Sequence, residues 1–276
     1  MLKQPKIAFL GSSNMAQSLI SGLIESGFNP SDIWGTDRNA KKLNQLKELF
    51  QIQTELSNPK AVNLVDVVVL AVEPQDIHLL VTELKETLLS KKPLIISIAT
   101  DINTQHLEQW LGSHLAIVRA IPNTPALFRA GATGLYANTR VSPEQKNLAE
   151  SLLRAVGFTA WVDHEHDIDT IAALSGSGPA YFFLMMEALQ QGAEQLGLSH
   201  ATARLLTLQT ALGAARMAIE NEIDLAALRQ QAASPGGSTE QALQILESGG
   251  IRSLFKNALE TARKRTIEIS QKLGKE

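Results

Sequence analysis

The sequence predicts an α/β fold, in which a doubly wound, Rossmann-like parallel sheet is followed by an all-helical C-terminal dimerisation domain. Three observations support this prediction. Short apolar runs alternate with helical patterns as far as about residue 162. Runs such as Val67–Leu70 are apolar at every position, which is typical of strands covered by helices on both faces. From Ile168 onward almost every segment has a helical pattern. We therefore divide the chain into a nucleotide-binding domain, residues 1–162, and a helical domain, residues 163–276.

The first domain contains seven candidate strands, each a short apolar run bounded by turn residues. They cover residues 6–10, 32–36, 66–72, 93–98, 115–120, 133–137 and 159–162. In a doubly wound sheet the ligand lies along the carboxyl ends of the strands. We therefore expect a ligand near residues 11–14, 37–38, 71–74 and 99–100, which follow four of these strands.

The turn after the first strand indicates a dinucleotide site. It has the sequence Gly11-Ser12-Ser13-Asn14-Met15-Ala16 and leads into an amphipathic helix. Compared with the Gly-x-Gly-x-x-Gly pattern, Ser13 and Ala16 replace the second and third glycines, so only Gly11 is retained. The motif alone is therefore a weak signal.

The end of the second strand leaves the choice of nucleotide open. Asp37 suits a ribose 2′-hydroxyl and repels a 2′-phosphate, whereas Arg38 can pair with that phosphate. We favour NADPH and keep NADH as the alternative.

The helical domain predicts dimerisation. Breaks between its helices are expected at residues 175–179, 197–199, 221–224, 234–237 and 249–250. The helix that begins at Pro179 carries apolar residues on nearly all sides and has to be buried all round. A helical domain of this size hardly achieves that alone, so a second copy of the chain is the expected partner.

The segment Ser234-Pro235-Gly236-Gly237-Ser238-Thr239-Glu240-Gln241 is the strongest candidate for a substrate site. A rigid turn and two glycines open into a helix, whose free N–H groups and positive dipole end can hold a carboxylate. The alternative is an ordinary helix start, with Ser238 and Gln241 forming a capping box.

Composition excludes several classes of protein. A net charge of −3 over 276 residues disfavours nucleic acid or an anionic membrane as the main partner. The absence of cysteine excludes disulfides and thiolate catalysis. No apolar stretch is long enough to span a bilayer, and the N-terminal apolar run ends at Gly11 without a cleavage site. We expect a cytoplasmic protein.

The run His164-Glu165-His166-Asp167 with nearby Asp169 contains metal-ligand residue types. Two histidines separated by one residue cannot share a helix face, so we interpret the run as a solvated junction between domains. We expect no metal.

Five segments carry a resemblance to the pyrroline-5-carboxylate reductase family along essentially the whole chain. They are residues 11–16, 71–75, 119–126, 174–181 and 234–239, and the last three are highly specific in this order and spacing. The resemblance implies reduction of the cyclic imine Δ1-pyrroline-5-carboxylate to L-proline by NAD(P)H, the last step of proline biosynthesis. It also implies a homodimer through the helical domain, and the family additionally forms rings of dimers.

The resemblance also implies which residues form the site. Thr239 would relay a proton to the ring nitrogen as the catalytic residue. The substrate-binding residues would be Glu222 from the neighbouring subunit, Ser234, Gly236, Gly237, Ser238 and Thr239. The cofactor-binding residues would be Gly11, Ser12, Ser13, Asn14, Met15, Asp37, Arg38, Asn58, Ala71, Val72, Glu73, Pro74, Ala99 and Asn123. Glu73 departs from the family pattern, which commonly has lysine before Pro74.

Two other functions fit parts of the sequence. A hydroxyacid dehydrogenase of the same two-domain plan would need a lysine on the first long helix of its second domain, but no lysine lies between Lys146 and Lys256. A nucleotide-sensing dimer without catalysis would need a vestigial substrate turn, whereas Gly236-Gly237-Ser238-Thr239 is intact.

Overall fold

The structure is a computed structural model and describes residues 4–112 and 114–274. It contains two compact units, one formed by residues 1–177 with 262–276 and the other by residues 178–261. The domain boundary expected between residues 162 and 163 stays a prediction.

An eight-stranded sheet forms the centre of the first unit, in the order β3-β2-β1-β4-β5-β6-β7-β8. All neighbouring strands are parallel except β6 and β7, which are antiparallel. The predicted α/β fold with a predominantly parallel sheet is confirmed. The strands are β1 (Ile7–Leu10), β2 (Ile33–Thr36), β3 (Gln53–Glu55), β4 (Val67–Leu70), β5 (Leu94–Ser97), β6 (Ile117–Ile121), β7 (Gly131–Ala137) and β8 (Gly157–Trp161).

Helices cover both faces of this sheet. They are α1 (Asn14–Glu25), α2 (Ala40–Phe50), α3 (Asn58–Leu64), α4 (Pro74–Lys91), α5 (Thr104–Leu111), α6 (Pro143–Arg154) and α7 (Glu165–Ile171). One apolar core lies beneath α1, α2 and α6, and a second lies beneath α3, α4 and α5. The central strands are therefore buried on both faces, as their unbroken apolar sequences predict.

The break predicted at residues 175–179 is reduced to a single residue, Ser177, between two helical segments. After α7 it forms a π-helical segment, Ala172–Gly176, and then continues as α8 (Gly178–Gln195). Ser175 hydroxyl donates to the Ile171 carbonyl at 3.1 Å inside this segment, so glycine and serine residues there do not form a loop. The predicted break is therefore confirmed at Ser177, whereas the residues on either side of it are helical.

The remaining helices are α9 (His200–Glu220), α10 (Leu225–Gln231), α11 (Ser238–Ser248) and α12 (Ile251–Leu273). The other four predicted breaks all fall between helices. The last part of α12 belongs to the first unit, where Leu273 packs against the core beneath α4 and α5.

The second unit has almost no core of its own. Between residues 178 and 261 only Gly178 and Ala203 are buried. Large apolar side chains are exposed on α8 and α9, including Phe183 at 64% and Leu205 at 67%. Within residues 4–112 and 114–274, no helix combines the length and the hydropathy needed to cross a membrane.

Candidate active site

A cavity of about 230 Å³ opens at the carboxyl ends of β1, β2 and β4. The parallel pairing aligns Leu10 with Thr36 on one side and with Leu70 on the other, so the three following loops meet at one edge of the sheet. The cavity is lined by Gly11, Ser12, Ser13, Thr36, Asp37, Arg38, Lys42, Asn58, Ala71, Val72, Glu73, Asp76 and Leu80. Nine of the fourteen predicted cofactor residues therefore line one cavity, and Asn14 lines the cavity beside it.

Gly11 is required at the floor of this cavity. Its φ of +108° is a conformation that residues with a side chain rarely adopt, and a Cβ there would meet the Ala71 carbonyl oxygen at 2.7 Å. Its N–H donates to the Thr36 carbonyl at 3.0 Å. The positive φ of Gly11 lets the chain turn tightly from β1 into α1. Because no side chain fills the space above the turn, a pyrophosphate could approach the backbone closely.

Ser13, which replaces the second glycine of the motif, caps α1. Its hydroxyl accepts a hydrogen bond from the Ala16 N–H at 3.2 Å. The side chain thus satisfies one of the unpaired N–H groups of the first turn. This use explains why a serine is tolerated where dinucleotide-binding proteins commonly have glycine.

Asp37 is bonded on both of its carboxylate oxygens. Oδ2 accepts a hydrogen bond from the Ser12 hydroxyl, and Oδ1 accepts from the Asn39 N–H at 2.8 Å. These bonds tie the end of β2 to the β1–α1 turn and to the start of α2. Asp37 is therefore a structural acceptor as well as a lining residue.

Four lining residues were not predicted: Thr36, Lys42, Asp76 and Leu80. Lys42 is the most consequential, because it adds a second cation to Arg38 on the α2 side of the cavity. The α4 side carries the carboxylates Glu73 and Asp76. The position of Lys42, in the first turn of the helix after β2, was the signal available in the sequence.

Four predicted cofactor residues lie outside the lining of both cavities: Met15, Pro74, Ala99 and Asn123. Asn123 is 8% exposed, and its amide is engaged at both ends. Nδ2 donates to the Ser175 carbonyl at 2.9 Å, and Oδ1 accepts from the Ala132 N–H at 2.8 Å. Asn123 thus ties the loop after β6 to the π-helical segment, and its contact with a cofactor stays a prediction.

A buried arginine joins the same edge of the sheet to α7. The Arg119 side chain is 2% exposed; its Nη2 lies 3.1 Å from Asp169 Oδ1 and donates to the Thr100 carbonyl at 2.7 Å. Its Nη1 lies 3.4 Å from Glu165 Oε1. Glu165 also accepts from the Thr104 N–H and hydroxyl at 2.7 and 2.6 Å.

Two titratable groups beside this network, Asp101 and His106, have shifted pKa values. Burial raises the pKa of Asp101, and the Arg119 charge partly offsets that rise. Burial lowers the pKa of His106, and the Glu165 charge partly offsets that effect.

The run of metal-ligand residue types at 164–167 belongs in part to this network. Glu165 is engaged with Arg119 and Thr104, while the His164 and His166 rings stack with centroids 5.4 Å apart. In the part of the chain that the structure describes, no three His, Asp or Glu side chains converge as a metal site would require.

The second unit contains the candidate substrate turn. Gly236 has a φ of +74°, and its N–H donates to Glu240 Oε2 at 2.8 Å, while the Gly237 N–H donates to the Ser234 carbonyl at 2.9 Å. Gly237 is the N-cap of α11 and makes no side-chain cap hydrogen bond. The predicted capping box of Ser238 and Gln241 is therefore not formed.

The open N-terminus of α11 suits an anion. The first N–H groups of a helix have no partner within the helix, and the dipole places partial positive charge there. Ser238 and Thr239 are exposed in the first turn. Glu222 is exposed in the segment between α9 and α10. Their roles toward a substrate stay predictions.

The sheet, the glycine turn and the charged cavity define a dinucleotide-binding protein of the doubly wound class, which is joined here to a helical unit. Comparison with known proteins defines it more narrowly. The family model for pyrroline-5-carboxylate reductase dimerisation matches residues 165–269. A second model, NADP oxidoreductase coenzyme F420-dependent, matches residues 6–101.

Full-length relatives agree with these matches. The pyrroline-5-carboxylate reductase of Pseudomonas aeruginosa is 46% identical over 273 residues, which cover 99% of this chain and 100% of the relative. The solved structure of a pyrroline-5-carboxylate reductase from Coxiella burnetii matches with a TM-score of 0.94 and 52% identity, covering 97% of this chain and 99% of the other. A Plasmodium falciparum pyrroline carboxylate reductase structure with NADP bound matches with a TM-score of 0.86 and 27% identity, covering 98% and 100%. The chain belongs to the pyrroline-5-carboxylate reductase family.

Proposed function

We propose that this protein reduces Δ1-pyrroline-5-carboxylate to L-proline with NADPH, or with NADH as the weaker alternative, as the last step of proline biosynthesis. The observation that carries the proposal is the full-length similarity to pyrroline-5-carboxylate reductases, 46% identity over 99% of the chain. The cavity at Gly11 and the open helix start at Gly237 supply the two binding functions that the reaction needs.

The first unit binds the coenzyme in this proposal. Gly11 and the first turn of α1 hold the pyrophosphate, and the residues after β2 hold the adenosine ribose. When bound, the nicotinamide supplies the hydride that the imine carbon accepts. The protein contributes orientation and a fixed field, because an imine protonated at nitrogen needs little further activation.

The second unit binds the substrate carboxylate. The N–H groups of Ser238 and Thr239 and the positive end of the α11 dipole are the proposed donors, and Gly236 and Gly237 leave the approach clear of side chains. The Thr239 hydroxyl holds the proton at the ring nitrogen. Glu222 of the partner subunit is the proposed second contact to the ring.

The lysine pattern favours imine reduction over alcohol chemistry. A hydroxyacid dehydrogenase of this plan needs a cationic acid–base group on the first long helix of its second domain. Helices α8 and α9 contain no lysine. Imine reduction does not need that group, because the nitrogen already carries the proton.

A homodimer through the second unit is the proposed assembly. The matched dimerisation family and the exposed apolar surfaces of α8 and α9 support it. Such a surface is stable in water only when a partner covers it. Whether these dimers assemble further into a ring is decided by the mass of the particle in solution, measured by light scattering. The cytoplasmic location stays a proposal.

The proposed activity is tested by following nicotinamide oxidation by the purified chain with Δ1-pyrroline-5-carboxylate and identifying the product by chromatography. A small 2-hydroxy acid with NADP⁺ serves as the comparison for the dehydrogenase alternative. We expect L-proline from the imine and no turnover of the hydroxy acid. Tight nicotinamide binding with no turnover of either compound would favour the sensing dimer.

A further inference from the structure

The buried arginine of β6 lies on the side of the sheet away from the adenosine site. The strand order reverses between β1 and β4, so a dinucleotide with its pyrophosphate at Gly11 and its adenosine at β2 extends its other half toward β4 and β5. Leu70, Ser97 and Arg119 are in register on three parallel strands, so the loops after β5 and β6 leave the sheet at this same edge. We propose that Arg119 is a positioning residue, which holds the turn after β5 for the nicotinamide half of the coenzyme. The inference rests on the proposed use of a nicotinamide coenzyme.

This turn is held on both of its sides. Residues 99–102 form it, and we call them the β5 turn; its last N–H donates to its first carbonyl at 3.3 Å. Inside the turn, the Thr100 carbonyl accepts from Arg119 Nη2 at 2.7 Å. Two positions after the turn, the first residue of α5 donates its N–H and its hydroxyl to Glu165 at 2.7 and 2.6 Å. Because Arg119 Nη1 lies 3.4 Å from Glu165 Oε1, one network fastens the turn and the helix that follows it.

The carboxylates of this network belong to α7, which continues into the π-helical segment Ala172–Gly176. On α7, Asp169 Oδ1 lies 3.1 Å from Arg119 Nη2. In the π-helical segment, the Ser175 carbonyl accepts from the Asn123 amide, in the loop after β6, at 2.9 Å. One continuous helical stretch therefore holds both loops of the expected nicotinamide side. Segments of π-helix are frequent at functional sites.

Stability alone does not account for Arg119. Its side chain is 2% exposed, and its Nε has no hydrogen-bond partner among residues 4–112 and 114–274. An unpaired buried N–H costs stability, and a buried ion pair adds little net stability compared with an apolar core. The planar guanidinium does, however, fix the directions of the groups bonded to it. Because Arg119 is buried, we infer that it acts on a bound coenzyme through the β5 turn and not by contact.

The first test isolates the contribution of the nicotinamide ring. The intact chain is titrated by calorimetry with NADPH and with 2′-phospho-ADP-ribose, which lacks that ring. We expect NADPH to bind about tenfold more tightly. Arg119→Lys keeps the charge but cannot reach the Thr100 carbonyl and both carboxylates at once. It should weaken NADPH binding about tenfold and 2′-phospho-ADP-ribose binding by less than about twofold.

Two substitutions of an acid by its amide provide a matched comparison. Asp169→Asn weakens the hold on Arg119 and should weaken NADPH binding about threefold, with 2′-phospho-ADP-ribose binding unchanged. Glu150→Gln weakens a different ion pair of the first unit, in which Glu150 Oε1 lies 2.7 Å from Arg154 Nη2, and should leave both affinities unchanged. Asp169→Asn also keeps the proposal testable if Arg119→Lys does not fold.

The second test examines whether the effect passes through the β5 turn. Hydrogen exchange of the Ile102 N–H, which bonds the Ala99 carbonyl, is followed by NMR and should be at least about fivefold faster in Arg119→Lys. The Ala132 N–H, which donates to Asn123, should exchange at the rate of the parent. A loss of NADPH affinity with unchanged exchange at Ile102 would overturn the role assigned to the turn.

The titrations can also contradict the proposal directly. Equal affinities of the parent for the two ligands, or an equal loss of both in Arg119→Lys, would mean that the network does not act on the nicotinamide half. These titrations contain no imine and need no turnover. A chain that shows the expected selectivity but does not reduce the imine would therefore refute the proposed function and leave this inference intact.

Discussion

Thr239 is the residue on which the proposed chemistry depends most. It lies in the first turn of α11 with its side chain exposed, two residues after the N-cap Gly237, which makes no side-chain cap hydrogen bond. We predict that Thr239→Ala lowers kcat/KM for the imine about 100-fold, because the proton at the ring nitrogen loses its hydroxyl partner. Steady-state kinetics measure this effect. Thr239→Ser is the matched control and should retain most of the activity.

Coenzyme affinity is measured for Thr239→Ala as a control on the kinetic result. NADPH binding, followed by fluorescence titration, should be the same in the Ala variant as in the parent, because Thr239 belongs to the second unit. An unchanged kcat/KM in Thr239→Ala would remove the threonine from the catalytic account.

Gly11 offers a second prediction at the scale of one residue. Gly11→Ala adds a Cβ that would meet the Ala71 carbonyl oxygen at 2.7 Å and also strains a positive φ. We expect a loss of about 3 kcal/mol in the free energy of unfolding, together with loss of coenzyme binding. Urea unfolding and NADPH titration measure the two effects.

Gly27→Ala is the control for this substitution. Gly27 also has a positive φ, +94°, but a Cβ there would meet no atom of the described residues within 4 Å. It should cost about 1 kcal/mol and leave coenzyme binding intact. Equal effects of the two substitutions would mean that position 11 requires glycine because of its positive φ and not because of its close approach to Ala71.

At the scale of elements, α5 and the end of α12 pack together around His106. Its ring stacks on Trp110 with centroids 5.8 Å apart. The same ring lies against Gly274, where a Cβ would overlap it. Trp110 also contacts His78 in a tilted arrangement, with ring centroids 4.7 Å apart. Among residues 4–112 and 114–274, the buried Nδ1 atom of His106 has no hydrogen-bond partner, which agrees with a neutral ring.

The lowered pKa of His106 predicts how stability depends on pH. In the folded state the ring stays neutral below about pH 6.5, where the unfolded chain binds a proton, so unfolding is favoured as pH falls through that value. We predict that the free energy of unfolding decreases between about pH 7 and pH 5.5, and that His106→Gln shows a shallower decrease. Urea unfolding at both pH values checks this, and parallel curves for the two proteins would contradict it.

The sequence predicts those elements whose buried residues form a recognisable apolar pattern. All seven apolar runs are strands within two residues of their predicted ends. β3 was missed because Gln53-Thr54-Glu55 contains no apolar run; it lies at the edge of the sheet and pairs only with β2. The π-helical segment was missed because its glycine and serine residues have the composition of a turn.

The candidate site was predictable to a similar degree. Residues next to the glycine turn and at strand ends could be found because topology places strand ends together. Lys42 was missed because it lies within a helix, and its place in the first turn of α2 was the one signal that the sequence offered. The bond between Ser12 and Asp37 joins residues 25 positions apart, and local pattern does not encode it.

At the scale of the whole molecule, the exposed apolar side chains of the second unit support the proposed homodimer. Its exposed side chains include Phe182, Phe183, Leu184 and Leu189 on α8 alone. We predict that Phe183→Glu dissociates the proposed homodimer and lowers the melting temperature, because a charge is placed where the proposed partner would cover an apolar surface. Sedimentation velocity measures the mass.

Leu79→Glu is the matched control for this substitution. Leu79 is 50% exposed on α4 in the first unit, outside the matched dimerisation segment. That variant should remain dimeric. A dimeric Phe183→Glu protein with unchanged stability would place the interface elsewhere.

The central claim is that hydride passes from a nicotinamide to the carbon of a cyclic imine on this chain. We would therefore supply NADPH with deuterium at both C4 positions, together with Δ1-pyrroline-5-carboxylate, and examine the product by mass spectrometry. We expect proline that carries one deuterium at the former imine carbon, with one NADPH oxidised per proline formed. Proline without deuterium, or no proline at all from a folded and NADPH-binding protein, would contradict it.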